Sequence, residues 1–393
     1  MRKKLFMIGM WHLGCVTAGC MNKLGHSVTC FDFDKKVIDD LKIGKLPIYE
    51  QGLQELFEGI SFTSDISDCK DSDFIFITYD INVNGITLEP LLIKLIEQLK
   101  PYMKGKILVV RSQVALGSCD RLARELGCKV CYFPENLRLG TAVHNFLNPD
   151  WLVFGLSSLD MTENIAYLFV DITCKEMTFL SLEEAEMVKM SMNCYLATLI
   201  SMANEISDLC EQYNIDAKAV LKTLKLDKRV SPFAPIMPGL AISGGTIERD
   251  LNSMRKLGHA AILDAVALYN TQRGLYIQNR LERLLGGLNG KTITFFGATY
   301  KTGTDTLRDS PTLKEIAGLE HNNVVVKVFD PLIKTGVPHQ ITSVLEAKGS
   351  DAIVIMTDWS GWKNIDYALL APKVILDTKG TLPSRIKHFE IGV

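Results

Sequence analysis

Two glycines five positions apart, in Gly9-Met-Trp-His-Leu-Gly14, follow directly on the apolar run of residues 4–8. A glycine at a strand end permits a sharp turn. A helix beginning there presents unpaired backbone N–H groups and a positive dipole end to an anion. Residues 26–31 (HSVTCF) form a second apolar run that closes on Asp32, 23 positions beyond Gly9. A carboxylate at that place accepts hydrogen bonds from a ribose. Strand, glycine turn, helix and acid-ended strand make a βαβ unit suited to a dinucleotide, with Gly9, Trp11, His12, Leu13, Gly14 and Asp32 as its contacts. An acid repels a 2′-phosphate, so Asp32 favours NAD over NADP. The middle glycine of G-x-G-x-x-G, which lets a pyrophosphate reach the backbone, is Trp11 here. Trp11 therefore also supports the opposite expectation, a Rossmann-like domain that binds NAD weakly or not at all.

Thiols are the next reactive groups to place. The ten cysteines are Cys15, Cys20, Cys30, Cys69, Cys119, Cys128, Cys131, Cys174, Cys194 and Cys210, and none follows Cys210. Most sit in apolar or helical segments, as reduced, core-filling thiols of a cytoplasmic protein do. Cys128-Lys-Val-Cys131 has C-x-x-C spacing, but Cys131 belongs to the strand-like CKVCYF and no second ligand pair follows. Core packing is the favoured reading over a redox pair or zinc, and no metal is expected.

The elements that must hold these residues alternate in type. Short apolar runs at 73–78, 106–111, 129–133 and 152–154 continue the rhythm of the first two. Their unbroken apolar character predicts a parallel sheet covered on both faces. From about residue 182 the apolar spacing turns helical, over 183–213, 216–224 and a long stretch at 251–285, with the proline-rich SPFAPIMPGLAISGG between the last two. Gly286-Gly-Leu-Asn-Gly290 reads as a linker, and strands return at 292–296, 324–329, 352–355 and 374–376. The expected fold is α/β, with two Rossmann-like doubly wound parallel-sheet domains joined by a central helical region. The boundaries fall at 1–180, 181–286 and 287–393. A length of 393 residues with 47% apolar and 22% charged suits such a multi-domain globular chain. With a net charge of −2 and no sustained Lys/Arg run, neither nucleic acid nor an anionic membrane is an expected partner. The apolar runs are too short to span a bilayer. MRKKLFMIGMWHLG lacks the small-residue cleavage site of a leader and reads as a first strand.

The segment GMWHLGCVTAGCMNKLGHSVTCFDFD, followed by KIGKLPIYEQGLQELF, resembles the N-terminus of the UDP-glucose/GDP-mannose dehydrogenase family. Members of that family show G-x-G-Y-V-G, an acid-ended second strand and a motif close to P-I-Y-E-P-G-L. FPENLRLGTAVHNFLNPDWLVFG is similar to the family's N-P-E-F-L-R-E-G-x-A…NP segment. VKMSMNCYLATLISMANEISDLCE, PGLAISGGTIERD and GATYKTGTDTLRDSP continue the likeness in order over nearly the whole chain. The resemblance implies oxidation of the C6 hydroxyl of a nucleotide-linked hexose, a UDP-sugar, to a carboxylate with two NAD. Hydride leaves C6, a cysteine thiolate traps the aldehyde, a second hydride transfer gives a thioester, and water assisted by a glutamate hydrolyses it.

By the same resemblance Glu135 matches the hydrolytic glutamate. Lys189 and Asn193, four apart and so on one helix face, match an oxyanion-stabilising pair. Asp250 matches the aspartate closing the cysteine loop, Gly239 the glycine that lies against the sugar nucleotide, and Lys301 and Arg308 the basic residues of F-K-x-x-T-D-D-x-R. Lys301 is expected on the substrate and Arg308 on the dinucleotide. Plainer readings stand beside these: a solvated Lys189, a solvent-facing Glu135, an Asn193 bonded to a neighbouring loop, and an Arg308 paired with Asp305 or Asp309. The helical stretch 251–285 resembles the dimer core of the family and implies a homodimer.

Where the family has its nucleophilic cysteine, in G-G-S-C-F-P-K-D, an ungapped match places Thr246. A thiol titrates near about 8.5 and a threonine hydroxyl far above neutral pH, so Thr246 cannot run the thioester route as a cysteine does. Other departures gather on the nicotinamide side. V-G-T-P reads Thr78-Tyr-Asp-Ile81, K-S-T-V-P reads Arg111-Ser-Gln-Val-Ala115, and E-F-L-R-E has Asn136 and Leu139 in place of its Phe and second Glu. Three functions follow as expectations. The first is an NAD-dependent oxidoreductase on a nucleotide-sugar without a covalent intermediate. The second is a nucleotide-sugar-binding or regulatory protein, and the third a structural subunit paired with an active paralogue.

Overall fold

Phe6 and Ile8 turn one way from the first strand and Leu5 and Met7 the other, into two separate apolar cores. A strand buried on both faces has no polar side to show, which is why these runs read as continuously apolar. The computed structural model of the chain describes residues 2–79, 90–243, 245–299, 302, 307, 310–319, 323–333 and 335–392, with backbone alone at 90–92 and 245. The chain divides into two compact units, Met1–Met190 and Ser191–Val393.

The first unit runs β1 (Lys4–Ile8), α1 (His12–Lys23), β2 (Ser27–Phe31), α2 (Lys35–Lys42), β3 (Ser61–Thr63), β4 (Phe74–Ile77) and α3 (Pro90–Leu99). It continues with β5 (Ile107–Val110), α4 (Ser118–Leu126), β6 (Lys129–Tyr132), α5 (Ala142–Leu147), β7 (Trp151–Leu156), α6 (Thr162–Leu168), β8 (Glu176–Ser181) and the start of α7 (Leu182–Gln212). The strand order is β3-β2-β1-β4-β5-β6-β7-β8. Every neighbouring pair is parallel except β6 and β7, which is antiparallel. The parallel sheet expected from the apolar runs is thus formed, with one antiparallel pair within it. The reversal falls where the connection, residues 133–150, carries only the six-residue α5 in place of a longer crossover helix. The buried Glu186 of α7 accepts the amides of Gly117 (2.5 Å) and Cys119 (2.8 Å), tying α7 to the N-terminus of α4.

The second unit takes the rest of α7, then α8 (Ala217–Leu224), α9 (Gly245–Arg255), α10 (Ala261–Arg273), α11 (Tyr276–Leu285), β9 (Thr292–Phe296), α12 (Pro311–Leu319) and β10 (Val325–Phe329). Then come β11 (Ala352–Ile355), α13 (Tyr367–Leu370), β12 (Val374–Asp377) and β13 (Phe389–Glu390). Its sheet, β10-β9-β11-β12-β13, is parallel throughout and lies between two apolar clusters. The stretch 251–285, expected as one long helix, is three. The amides of Lys256 and Leu257 bond three residues back and tighten the end of α9 just before Gly258, and Gly274 ends α10. Glycine is a poor helix former, and both interruptions use one. Among the described residues no helix is long and apolar enough to cross a membrane.

Candidate active-site residues

The dinucleotide cradle is built from the ends of β1, β2 and β4. Gly9 turns the chain at φ +99°, and its amide donates to the carbonyl of Phe31 at 3.0 Å. A Cβ on Gly14 would stand 1.9 Å from the Gly9 carbonyl oxygen, so α1 packs against the turn only because Gly14 has no side chain. Thr78 clamps the turn from β4, its hydroxyl donating to the carbonyls of Ile8 (2.9 Å) and Gly9 (2.8 Å). Trp11 has extended backbone at the N-cap of α1, makes no side-chain cap bond and is 53% exposed. His12 and Leu13, half-buried, open the first turn, whose amides have no acceptor within the helix.

Asp32 is buried at the end of β2. One carboxylate oxygen accepts the Met10 amide at 2.8 Å, and the other the Asp34 amide at 3.0 Å and the Tyr79 hydroxyl at 3.2 Å. Two sequence-expected features, the glycine turn and the acid, therefore meet within one turn of chain. The turn, the helix end and the acid fit a dinucleotide. Tyr79 is the exception, because its ring comes within 2.8 Å of where a Cβ on Gly9 would be, and its hydroxyl bonds an oxygen of the acid expected to meet the ribose. Phe33 stacks on the same ring at 6.4 Å. Burial, reinforced by Asp32, pushes the Tyr79 hydroxyl well up, so it stays a neutral donor.

Glu50 lies within KIGKLPIYEQGLQELF, where nothing in its spacing marks a role. It is buried, and one of its oxygens meets His12 Nε2 and the Gly140 amide, both at 2.9 Å, while the other accepts the Ala142 amide at 3.0 Å. It fastens the first residue of α1 to the loop before α5. That loop carries Glu135, half-buried, with one oxygen accepting the Leu137 amide at 2.6 Å. Lys189, 6% exposed on α7, donates to Asn136 Oδ1 at 3.3 Å. Lys189 is therefore a buried, loop-directed ammonium and not a solvated helix position.

In the second unit the buried Asn193 donates to Asp250 Oδ2 at 2.6 Å, joining α7 to α9. Thr246 lies one helical turn before Asp250 on α9 and is exposed. Burial, with Asp250 adding to it, lifts the neighbouring Cys194 thiol to about 11. Gly239 is held by two side chains. Its amide donates to Asn204 Oδ1 at 2.8 Å, its carbonyl accepts Arg273 Nη2 at 2.6 Å, and Asn204 returns a bond to Leu240 at 3.2 Å. The nearest atoms to a Cβ on Gly239 would be 4.0 Å away, so packing within the unit does not itself demand a glycine. Lys301 and Arg308, with Asp305 and Asp309, lie outside the described residues.

Comparison with known proteins covers the same span. The NAD binding domain of the UDP-glucose/GDP-mannose dehydrogenase family matches residues 3–173, its central domain residues 183–273 and its UDP binding domain residues 294–384. A UDP-glucose 6-dehydrogenase of Rickettsia bellii is 32% identical over 411 residues, covering 95% of this chain and 94% of that one. One of Bacillus subtilis is 28% identical, covering 98% of this chain and 97% of that one. Among solved structures, a UDP-glucose dehydrogenase from Pyrobaculum islandicum superposes with a TM-score of 0.88 at 24% identity, over 99% of this chain and 97% of that one. With the glycine turn, its acid and all three domains matched in order, the chain belongs to the UDP-glucose/GDP-mannose dehydrogenase family.

Proposed function

We propose that the protein is an NAD-dependent oxidoreductase of a UDP-linked sugar, similar to a UDP-glucose 6-dehydrogenase, that works without the covalent thioester. The observation that carries this is the buried Asn193–Asp250 bond, one helical turn from Thr246, in a chain with no thiol after Cys210. The polar machinery is kept while the nucleophile is a weak one. Bound NAD would supply the hydride acceptor. Lys189 would stabilise alkoxide charge at the sugar carbon, its ammonium oriented by Asn136. Glu135 would accept the hydroxyl proton, directly or through one water. Thr246 would hydrogen-bond the sugar but not attack it. Gly9, Gly14, Asp32 and the first turn of α1 with Trp11, His12 and Leu13 would hold the cofactor, together with Arg308. Gly239 and Lys301 would hold the sugar nucleotide.

The test is a stoichiometry. Purified protein, NAD and UDP-glucose should give one reduced cofactor per sugar and an aldehyde that hydroxylamine captures. Two reduced cofactors per sugar, with uronate formed at undiminished speed, would overturn it. A second reading, a nucleotide-sugar-binding protein without dehydrogenase activity, is favoured by the Tyr79 hydroxyl on Asp32. Micromolar NAD binding in calorimetry would rule against it. A homodimer belongs to either reading. Tyr195, Met202 and Leu209 are exposed at seven-residue intervals along α7, one face of the helix, and Ile262 and Leu268 are exposed on α10.

A further inference from the structure

Arg111, the residue after β5, carries a guanidinium into the interior of the first unit and is 2% exposed. Its Cζ lies over two rings, 4.0 Å from the centre of Phe133 and 4.9 Å from that of Phe146. Ring contact of this kind meets the charge of the cation and leaves its N–H groups to find acceptors elsewhere. Two of those nitrogens find none, since Nε and Nη1 are both buried without a hydrogen-bond partner. Burial lowers the group to about 10, with the Glu135 carboxylate opposing, so it remains a cation at neutral pH. A desolvated cation with unmet donors is strongly unfavourable unless an anion or ordered water completes it.

The space for that partner is present. A cavity of about 50 Å³ is lined by Arg111, Phe133, Asn136, Asn145, Phe146 and Trp151, with proline and aliphatic residues as the remainder. Among the described residues no carboxylate lines it and Arg111 is its one charged group, with the Glu135 carboxylate acting on that cation from outside the lining. The Asn136 and Asn145 side chains carry further amide N–H groups, one of which Asn145 gives to the Thr141 hydroxyl at 3.1 Å. At roughly 10–15 Å³ for a water-sized group, the volume admits about three to five. We propose that this cavity binds a small monovalent anion, a short carboxylate of formate size or a halide, held by the Arg111 guanidinium between the Phe133 and Phe146 rings. The inference rests on the first unit alone and is independent of the reaction proposed above.

The experiment uses the full chain in a gluconate buffer, an anion too large for the cavity, with formate or chloride exchanged in at constant ionic strength. Thermal unfolding and chlorine NMR linewidth are followed together. A saturable rise in melting temperature with formate or chloride, and a saturable line broadening with chloride, are expected for the wild type. Arg111→Gln should weaken both at least about tenfold. If circular dichroism shows that variant unfolded, Asn145→Asp decides. A carboxylate built into the lining should displace the free anion and abolish the response while the protein stays folded. No saturation in the wild type beyond the gluconate control would overturn the proposal. So would an undiminished response in folded Arg111→Gln or in Asn145→Asp.

Discussion

Tyr79 and Thr246 are single side chains on which the chemistry turns. The Tyr79 hydroxyl takes an acceptor position on Asp32 that a ribose would otherwise use. A hydrogen bond to a charged group is worth about 1.5 kcal/mol at the low end, roughly tenfold in affinity. Tyr79→Phe is therefore expected to tighten NAD binding several-fold in calorimetry, and equal affinity would mean that the hydroxyl does not compete. Thr246→Cys asks the complementary question. A thiol in the first turn of α9 gains from the helix dipole and titrates far below a hydroxyl. The variant should release two reduced cofactors per sugar, and a denatured sample trapped mid-reaction should carry the sugar mass on residue 246. Turnover unchanged at one cofactor per sugar would count against the role given to this position. At this scale the sequence was informative about types and spacings. The Gly9–Gly14 turn, Asp32 and the thiol-to-hydroxyl change could all be read from it. Which way a side chain turns could not, because the Tyr79–Asp32 bond and the ring contacts of Arg111 depend on three-dimensional neighbours far apart in sequence.

The elements were legible wherever one periodicity ran unbroken, as in β1, β4, β5 and β11. They were misread where a short feature overrode it. The direction of β7 is not written in its apolar run, and the stretch 251–285 breaks where glycines interrupt an otherwise helical pattern. Because β7 and β8 run against the other strands, α7 leaves the sheet at the edge opposite the cradle, and its first two turns bring Lys189 back towards Asn136. Inside α12 the Glu315 carboxyl is buried with one oxygen unpartnered, and burial raises it to about 8. A folded state that keeps this proton while the unfolded chain gives it up loses stability as pH rises. The full contribution is present below about 4.5 and is eroded by about 8. Glu315→Gln should therefore stabilise the protein at pH 8 by on the order of 2–4 kcal/mol and change little at pH 4. Urea midpoints at the two pH values check this, and an equal shift at both would place the effect elsewhere.

Across the whole molecule the composition suited a multi-domain globular chain, and two parallel-dominated sheets are what it forms. The surface stripe of Tyr195, Met202 and Leu209 was hidden within a helix that reads as apolar along its length, since periodicity does not say whether an apolar face meets the same chain or another copy. Met202→Asp, which puts a charge in the middle of that stripe, is expected to turn the proposed homodimer into a monomer in sedimentation velocity. An unaltered dimer would move the interface elsewhere. The distribution of cysteines has a practical outcome. Eight of the ten are buried, and everything beyond Cys210 is free of sulfhydryls. The second sheet and its helices thus form a blank background, in which one engineered attachment point can carry a fluorophore and report movement there when a sugar nucleotide arrives.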